Sequence, residues 1–138
     1  MVAAYVPNGL LSRLLGDRMY SVEFVLNDYV QFKFDGAPDA RTPVTLSVYA
    51  WPVVEIETRT WREGDLGYAD ALRQLAPSLV IATSEQTGRG IRIELGTGAL
   101  TIHPTAEEAR VEIAMIAGWS DGAWMLWRPG KDSFEDLC

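Results

Sequence analysis

A chain of 138 residues with a formal charge of −7 is long enough to bury a core without metal or disulfide support. Its charge disfavours binding to DNA, RNA or anionic lipid. Apolar residues make up 48% and charged residues 22%, the balance of a globular chain rather than of a disordered or membrane-embedded one.

The single cysteine, Cys138, is the last residue. This rules out an intramolecular disulfide and a cysteine-based metal cluster, and fits a reducing compartment. The opening MVAAYVPNGLLSRLLG has no basic leader region, and Arg13 interrupts its leucines, so it reads poorly as a signal peptide. No apolar run approaches the roughly 18 residues of a membrane span. Ten arginines against two lysines, with abundant Ala, Gly and Val, fit a GC-rich bacterial genome, and a cytoplasmic location is expected.

Asn8 is placed to cap a short helix bearing Leu10, Leu11, Leu14 and Leu15, with Gly16 as its stop. Under two turns long, that helix must dock on something. The period then changes to two. Tyr20, Val22, Phe24 and Leu26, then Val30, Phe32 and Phe34, alternate with polar residues and predict a hairpin. A three-residue loop Asn27-Asp28-Tyr29, pairing Leu26 with Val30 and Phe24 with Phe32, keeps the apolar residues on one face. After the turn-rich GAPDARTP (36–43), Val44, Leu46, Val48 and Ala50 predict a strand that Pro52 interrupts or bends. Val54 and Ile56 alternate with Glu55 and Glu57 as the strand runs on towards Trp61.

REGDLGYADALRQLAPS predicts the main helix, about 66–76. Asp65 is its expected cap, Tyr68, Leu72 and Leu75 its apolar stripe, and Pro77 follows its end. LVIA reads as a short buried strand. Ile91, Ile93 and Leu95 pair with Leu100 and Ile102 across a four-residue loop, Gly96 to Ala99. Thr105 with Glu108 matches a capping box, predicting at most one helical turn at 105–109. A strand to about Gly118 follows, its core stripe being Val111, Ile113, Met115 and Ala117. Asp121-Gly122 signals a two-residue hairpin turn, which sets Trp119 opposite Trp124 and Ile116 opposite Trp127. That places Trp124 on the core stripe and Trp127 on the other face, where it becomes a binding platform only if bare. KDSFEDL reads as a helical turn docking Phe134 and Leu137. The sum is one α+β domain over residues 1–138, a mostly antiparallel sheet with one main helix and short helical turns at both ends.

Chemistry-bearing constellations are sparse. Glu55 and Glu57 face one side of a strand, and paired carboxylates can share a proton or hold a cation. A nuclease-type strand would need a lysine where Arg59 stands, so a solvated polar face is the simpler reading. His103 is the only histidine and sits at a surface strand end. Cys138 has no fixed base beside it. The glycines of TGRGIRIELGTG lack the Gly-Lys-Ser/Thr of a phosphate loop and lead into no helix, so they are hairpin turns. Arg89 and Arg92 are too few for a nucleic-acid stripe. No catalytic residue, metal or cofactor is expected, and an enzyme is not the favoured reading. Tyr49, Trp51 and Trp61 instead take polar-facing positions, and exposed aromatics ringed by charge are typical contact hot spots. Trp51, Glu55, Glu57, Trp61 and Asp65 are therefore the expected protein-contact residues. In the competing arrangement helix 66–76 covers that face.

WPVVEIETR, GDLGYADALRQL, GIRIELGTGALTIHP and WMLWRPGKDSFEDL together resemble small bacterial proteins of a domain of unknown function, which end in a Trp-Arg-Pro-Gly-acid/base-x-x-Phe tail. The likeness spans most of the chain, and none of these motifs carries chemistry. The resemblance implies, by analogy, an immunity-type partner of a secreted toxin, and it assigns no site residue. Three functions follow: a protein-binding module meeting a basic protein partner, in the concrete case an immunity-like neutraliser; a small-ligand binder or enzyme with a cavity between sheet and helix; or a structural, oligomeric subunit. The first is favoured, with no nucleic acid and no membrane as partner.

Overall fold

A computed structural model describes residues 5–25, 28–35, 43–109 and 111–137. Expectations attached to Leu26 and Asn27, the 36–42 turn, Arg110 and Cys138 lie outside these residues. A short 3-10 helix (Leu11–Leu14) leads into β1 (Arg18–Val25), β2 (Tyr29–Phe34), β3 (Val44–Val48), β4 (Val53–Ile56) and β5 (Arg59–Trp61). Helix α1 (Tyr68–Gln74) follows, then β6 (Ser78–Gln86), β7 (Gly90–Leu95), β8 (Gly98–Ile102), β9 (Ala114–Ala117), β10 (Met125–Trp127) and a second 3-10 segment (Asp132–Leu137). The strands are antiparallel in the order β10-β9-β3-β2-β1-β6-β7-β8-β4-β5. The expected antiparallel sheet and main helix are present. With seven helical residues in α1, mostly-β describes the architecture better than α+β, and three long-range pairings (β1–β6, β3–β9, β4–β8) make it more than a meander.

This order forces the sheet to curl. β3 and β4 are six places apart in it, roughly 29 Å in a flat sheet at about 4.8 Å per strand. The link from Val48 to Val53 can span at most about 18 Å. The two halves therefore close on each other, hinged where β1 meets β6 through only two residue pairs, Arg18↔Leu79 and Met19↔Ser78. Phe32, Phe34, Leu46, Val48, Ile116 and Trp127 from one half and Val54, Ile91, Ile93, Leu100 and Ile102 from the other form one buried cluster. Tyr68 and Leu72 of α1 and Leu75 at its C-terminal cap complete it, as their helical spacing predicts. At the other end Leu11 and Leu14 are buried while Leu15 is exposed, because a 3-10 turn aligns residues three apart.

Three hairpin registers differ from the expected ones by two residues. Phe24 stands opposite Val30, not Phe32. Leu95 stands opposite Gly98 across a two-residue Gly96-Thr97 turn, not opposite Leu100. Trp127 stands opposite Ala114, not Ile116. A slip of two keeps every side chain on its face, so apolar alternation cannot tell these registers apart. At Gly98 the deciding contact is tertiary: a Cβ there would lie 2.4 Å from the Glu55 carbonyl oxygen.

Between β9 and β10 the expected faces are also reversed. Ala114 and Ile116 are buried against Val48 and Leu46, and of the expected stripe Ile113 is buried while Val111 is exposed and Met115 and Ala117 are half-buried. Trp127 is fully buried and Trp124 is 62% exposed. The expected two-residue turn is absent, since the strands end at Ala117 and resume at Met125. Gly118 breaks the strand at φ +117, where a Cβ would meet the Pro43 carbonyl at 2.4 Å. LVIA belongs to the longer β6, whose Leu79 and Ile81 are exposed rather than buried. Thr105 and Glu108 do form the capping box, Thr105 N–H donating to Glu108 Oε1 (2.9 Å) and Glu108 N–H to Thr105 Oγ1 (3.2 Å).

Candidate functional site: an acid-rimmed aromatic groove

The curl of the sheet brings the end of β1, the β3–β4 link and the approach to α1 to one place. Phe24, Trp51, Glu63, Asp65, Leu66, Tyr68 and Asp70 line a surface groove of about 410 Å³ there. Trp51 is its centre, near-parallel to Phe24 at 6.1 Å between ring centroids and edge-on to Tyr68 at 6.3 Å. Tyr68 is fixed from below, its hydroxyl donating to the Pro52 carbonyl at 2.5 Å. Burial, and to a smaller extent the charge of Glu63, push its phenol well above the ordinary value. Phe24 is 42% exposed although its neighbours on β2 are core.

The loop before α1 is shaped by Asp65, which is not the helix cap expected for it. Its carboxylate accepts the Arg62 N–H at 2.8 Å, and its own N–H donates to the Arg62 carbonyl at 2.8 Å. Gly67, at φ +88, holds the cap position without a side-chain hydrogen bond. The closed loop pushes Leu66 out to 100% exposure. Burying that leucine would require it to share the Tyr68-Leu72-Leu75 stripe, and it is out of phase with it. Asp70 lies 3.7 Å from Arg73, a fully solvated pair that leaves the acidic rim largely intact.

Of the five expected contact residues, the structure brings Trp51 and Asp65 together. Trp61 stands behind the groove wall, half-buried, its indole nitrogen 3.6 Å from where a Gly67 Cβ would sit and its ring 4.7 Å from the Arg59 guanidinium. It pairs with Val54, not with the polar parity expected of it, because the chain turns back at Glu57, whose φ is +57. Glu55 and Glu57 consequently do not form a carboxylate pair on one strand. Glu55 lies on the opposite face of β4, where it and Glu94 accept hydrogen bonds from Arg92 at 2.6 and 3.2 Å. The bond to Glu55 leads the causes that raise the Arg92 guanidinium further above its ordinary value. The missed groove residues are Phe24, Glu63, Leu66, Tyr68 and Asp70. GDLG did hold a signal, an apolar residue in a turn and off the helix stripe.

His103 stacks on Phe134 at 6.4 Å and lies 3.4 Å from Asp136, so it docks the C-terminal 3-10 segment. Among the described residues no group of three His, Cys, Asp or Glu could hold a metal ion, and no helix is long and apolar enough to cross a membrane. What the groove offers is aromatic surface beside carboxylates, suited to an aliphatic or cationic side chain. Comparison with protein-family models, curated proteins and solved structures finds no match.

Proposed function

We propose that this chain is a protein-binding module and that its contact site is the groove around Trp51. The observation that carries this reading is the convergence of exposed Phe24 and Leu66 and half-buried Trp51 with Glu63, Asp65 and Asp70. Isolated exposed apolar residues are ordinary, whereas an aromatic centre with a charged rim has the anatomy of a contact hot spot. The rim and the overall charge of −7 favour a basic partner, which an acidic protein would meet with fast, electrostatically steered association. The more specific reading is an immunity-like neutraliser acting in the bacterial cytoplasm and covering a basic toxin. The WMLWRPGKDSFEDL tail and the GDLGYADALRQL helix resemble small bacterial proteins of a domain of unknown function, for which an immunity role is a reading by analogy.

A photo-crosslinking residue placed at Leu66, with a control at exposed Leu79, tests this in the protein's own cells. The expected result is one discrete adduct from position 66, absent from position 79 and lost with Trp51→Ala or with Glu63→Gln, Asp65→Asn and Asp70→Asn combined. Equal adducts from both positions, or none from either, would refute it.

A further inference from the structure

A different surface, at the β10 end of the sheet, sets a terminal strand beside exposed Trp124 and Arg128. β10 is a terminal strand of the sheet, so among the described residues one of its edges pairs with no other strand. The Trp127 carbonyl accepts the Ile113 N–H at 2.8 Å, which turns the Trp127 backbone towards β9. In an antiparallel ladder the polar groups of the next residue point the other way. Leu126 therefore presents its N–H and C=O to the open edge.

Trp124, Leu126 and Arg128 share one strand parity, and together with Met125, Lys131 and Asp132 they line a pocket of about 280 Å³. Trp124 is highly exposed. Among the described residues neither Arg128 nor Lys131 makes an ion pair, and the two cation–aromatic contacts are Arg13 with Trp119 and Arg59 with Trp61. Four strand residues span about 13 Å, and a cation must come within about 6 Å of a ring to bind it. Trp124 and Arg128 flank β10 at its two ends and make no cation–aromatic contact with each other. At the other end of the sheet the corresponding need is met within β5, where Arg59 already covers Trp61.

The geometry points to a second copy of this chain as the occupant, added antiparallel along β10 about a two-fold axis at Leu126. The spacing is self-complementary. With Leu126 opposite Leu126 of the other copy, residues two before and two after it face each other, so Trp124 of each copy meets Arg128 of the other. The Leu126 N–H and C=O groups exchange hydrogen bonds across the axis, and the interface is isologous and closed. The three-residue length of β10 keeps the interface small and the dimer weak.

Sedimentation equilibrium of the full chain, over a series reaching about 1 mM to cover weak association, tests this. The mass should rise from 15.3 kDa towards twice that value. Trp124→Arg, which sets arginine against arginine, should weaken the dimer at least tenfold, and adding Arg128→Trp to it completes a double swap. The double swap, which rebuilds both pairs in reverse, should restore it. A single-chain mass at every concentration overturns the proposal, as does a dimer that none of the variants alters. Independently of how the swapped variants fold, Leu126→Cys with Cys138→Ser should form a disulfide-linked dimer in air, and Leu79→Cys with Cys138→Ser should not. Equal cross-linking at both positions also overturns it.

Discussion

Among the buried polar residues described, Glu85 is the one whose loss should most damage this fold. It lies on β6 opposite Ile91, turned inward and only 4% exposed. Its Oε1 accepts the Asn8 N–H at 2.8 Å. Its Oε2 accepts the Trp127 indole N–H at 2.9 Å, the Ser133 hydroxyl at 2.5 Å and the Tyr5 hydroxyl. One carboxyl thereby fastens the N-terminal segment, β10 and the C-terminal 3-10 segment to the sheet. Burial first, and the bond to Glu85 second, raise the Tyr5 phenol well above its ordinary value.

Glu85→Ala would leave those donors facing apolar surface. The indole keeps a weaker acceptor in the Tyr5 hydroxyl at 3.2 Å, so the Ser133 hydroxyl, the Tyr5 hydroxyl and the Asn8 N–H carry most of the loss. At about 1–3 kcal/mol per buried unsatisfied group, offset by no longer desolvating the carboxyl, the expected destabilisation is about 2–5 kcal/mol. For a chain of this size that lowers the melting temperature by roughly 6–20 °C. Glu85→Gln can keep its carbonyl on the three-donor side and turns its NH₂ towards the Asn8 N–H. Its cost should therefore be smaller, about 1–2 kcal/mol. Thermal melts give the ordering, and hydrogen exchange should show protection lost at both chain ends, near Asn8 and near Phe134, ahead of β2 and β3. If Glu85→Ala melts within a degree or two of wild type, or if glutamine costs as much as alanine, the hydrogen-bond account is wrong.

Other consequences are simpler to check. Burial, then the nearby charge of Asp35, raises Asp17 above its ordinary value of 3.8. A carboxyl whose folded pKa is raised favours the fold when protonated, and that contribution is lost as pH rises through the folded pKa. Asp17→Asn should therefore raise the melting temperature at pH 7, by less than about 1 kcal/mol equivalent at this half-buried, solvent-screened site. The gain should vanish in melts near pH 3, and an equal gain at both pH values would contradict the assignment. Tyr5 and Tyr68, both raised above 10.0, should ionise only as the protein unfolds in an alkaline absorbance titration, with stability falling as pH climbs past 10. Gly98→Ala forces a methyl against the Glu55 carbonyl, 2.4 Å away, and should cost about 1–3 kcal/mol. Urea melts would show this, and a neutral result would mean that β4 can move off β8.

Much of the strand content was legible because period-two alternation marks a face wherever one side is buried. Val30, Phe32 and Phe34, or Val44, Leu46 and Val48, declare their inward side without any partner being known. Register was not legible, because a slip of two residues preserves that pattern and the deciding contacts are tertiary, as at Gly98. The turn at Glu57 was hidden because Glu57 and Thr58 carry none of the glycine or asparagine that marks a tight hairpin. β9 was misread because Ala114 and Ala117 are alike in sequence, so Val111, Ile113 and Met115 outweighed the true inward pair Ala114 and Ile116. Of the candidate site, the local charge and Trp51 could be read from the chain. The convergence with Phe24 could not, since it depends on the sheet curling far enough to bring β1 to the β3–β4 link.

The tryptophans illustrate why burial of an aromatic cannot be settled by its strand neighbours alone. Trp127 and Trp124 sit three apart on one extended segment, so one had to face in, and apolar counting favoured Trp124. What reverses the choice is the indole N–H. Burying a tryptophan in a β-rich core leaves a donor that needs an acceptor. On the inner face of this sheet an acceptor is provided by Glu85, forty-two residues away in sequence. A lone glutamate at an inward position of β6, where a bulge between Val80 and Ala82 shifts the inward parity from that of Ser78 and Val80 to that of Glu85, would by itself look like an error of pattern. Taken with a tryptophan that needs an acceptor, a tyrosine near the N-terminus and a serine in the last turn, it becomes the polar centre the core is assembled around. Among the described residues no buried acceptor meets the Trp124 indole, and the same constraint that fixes Trp127 inside leaves Trp124, 62% exposed, on the open edge.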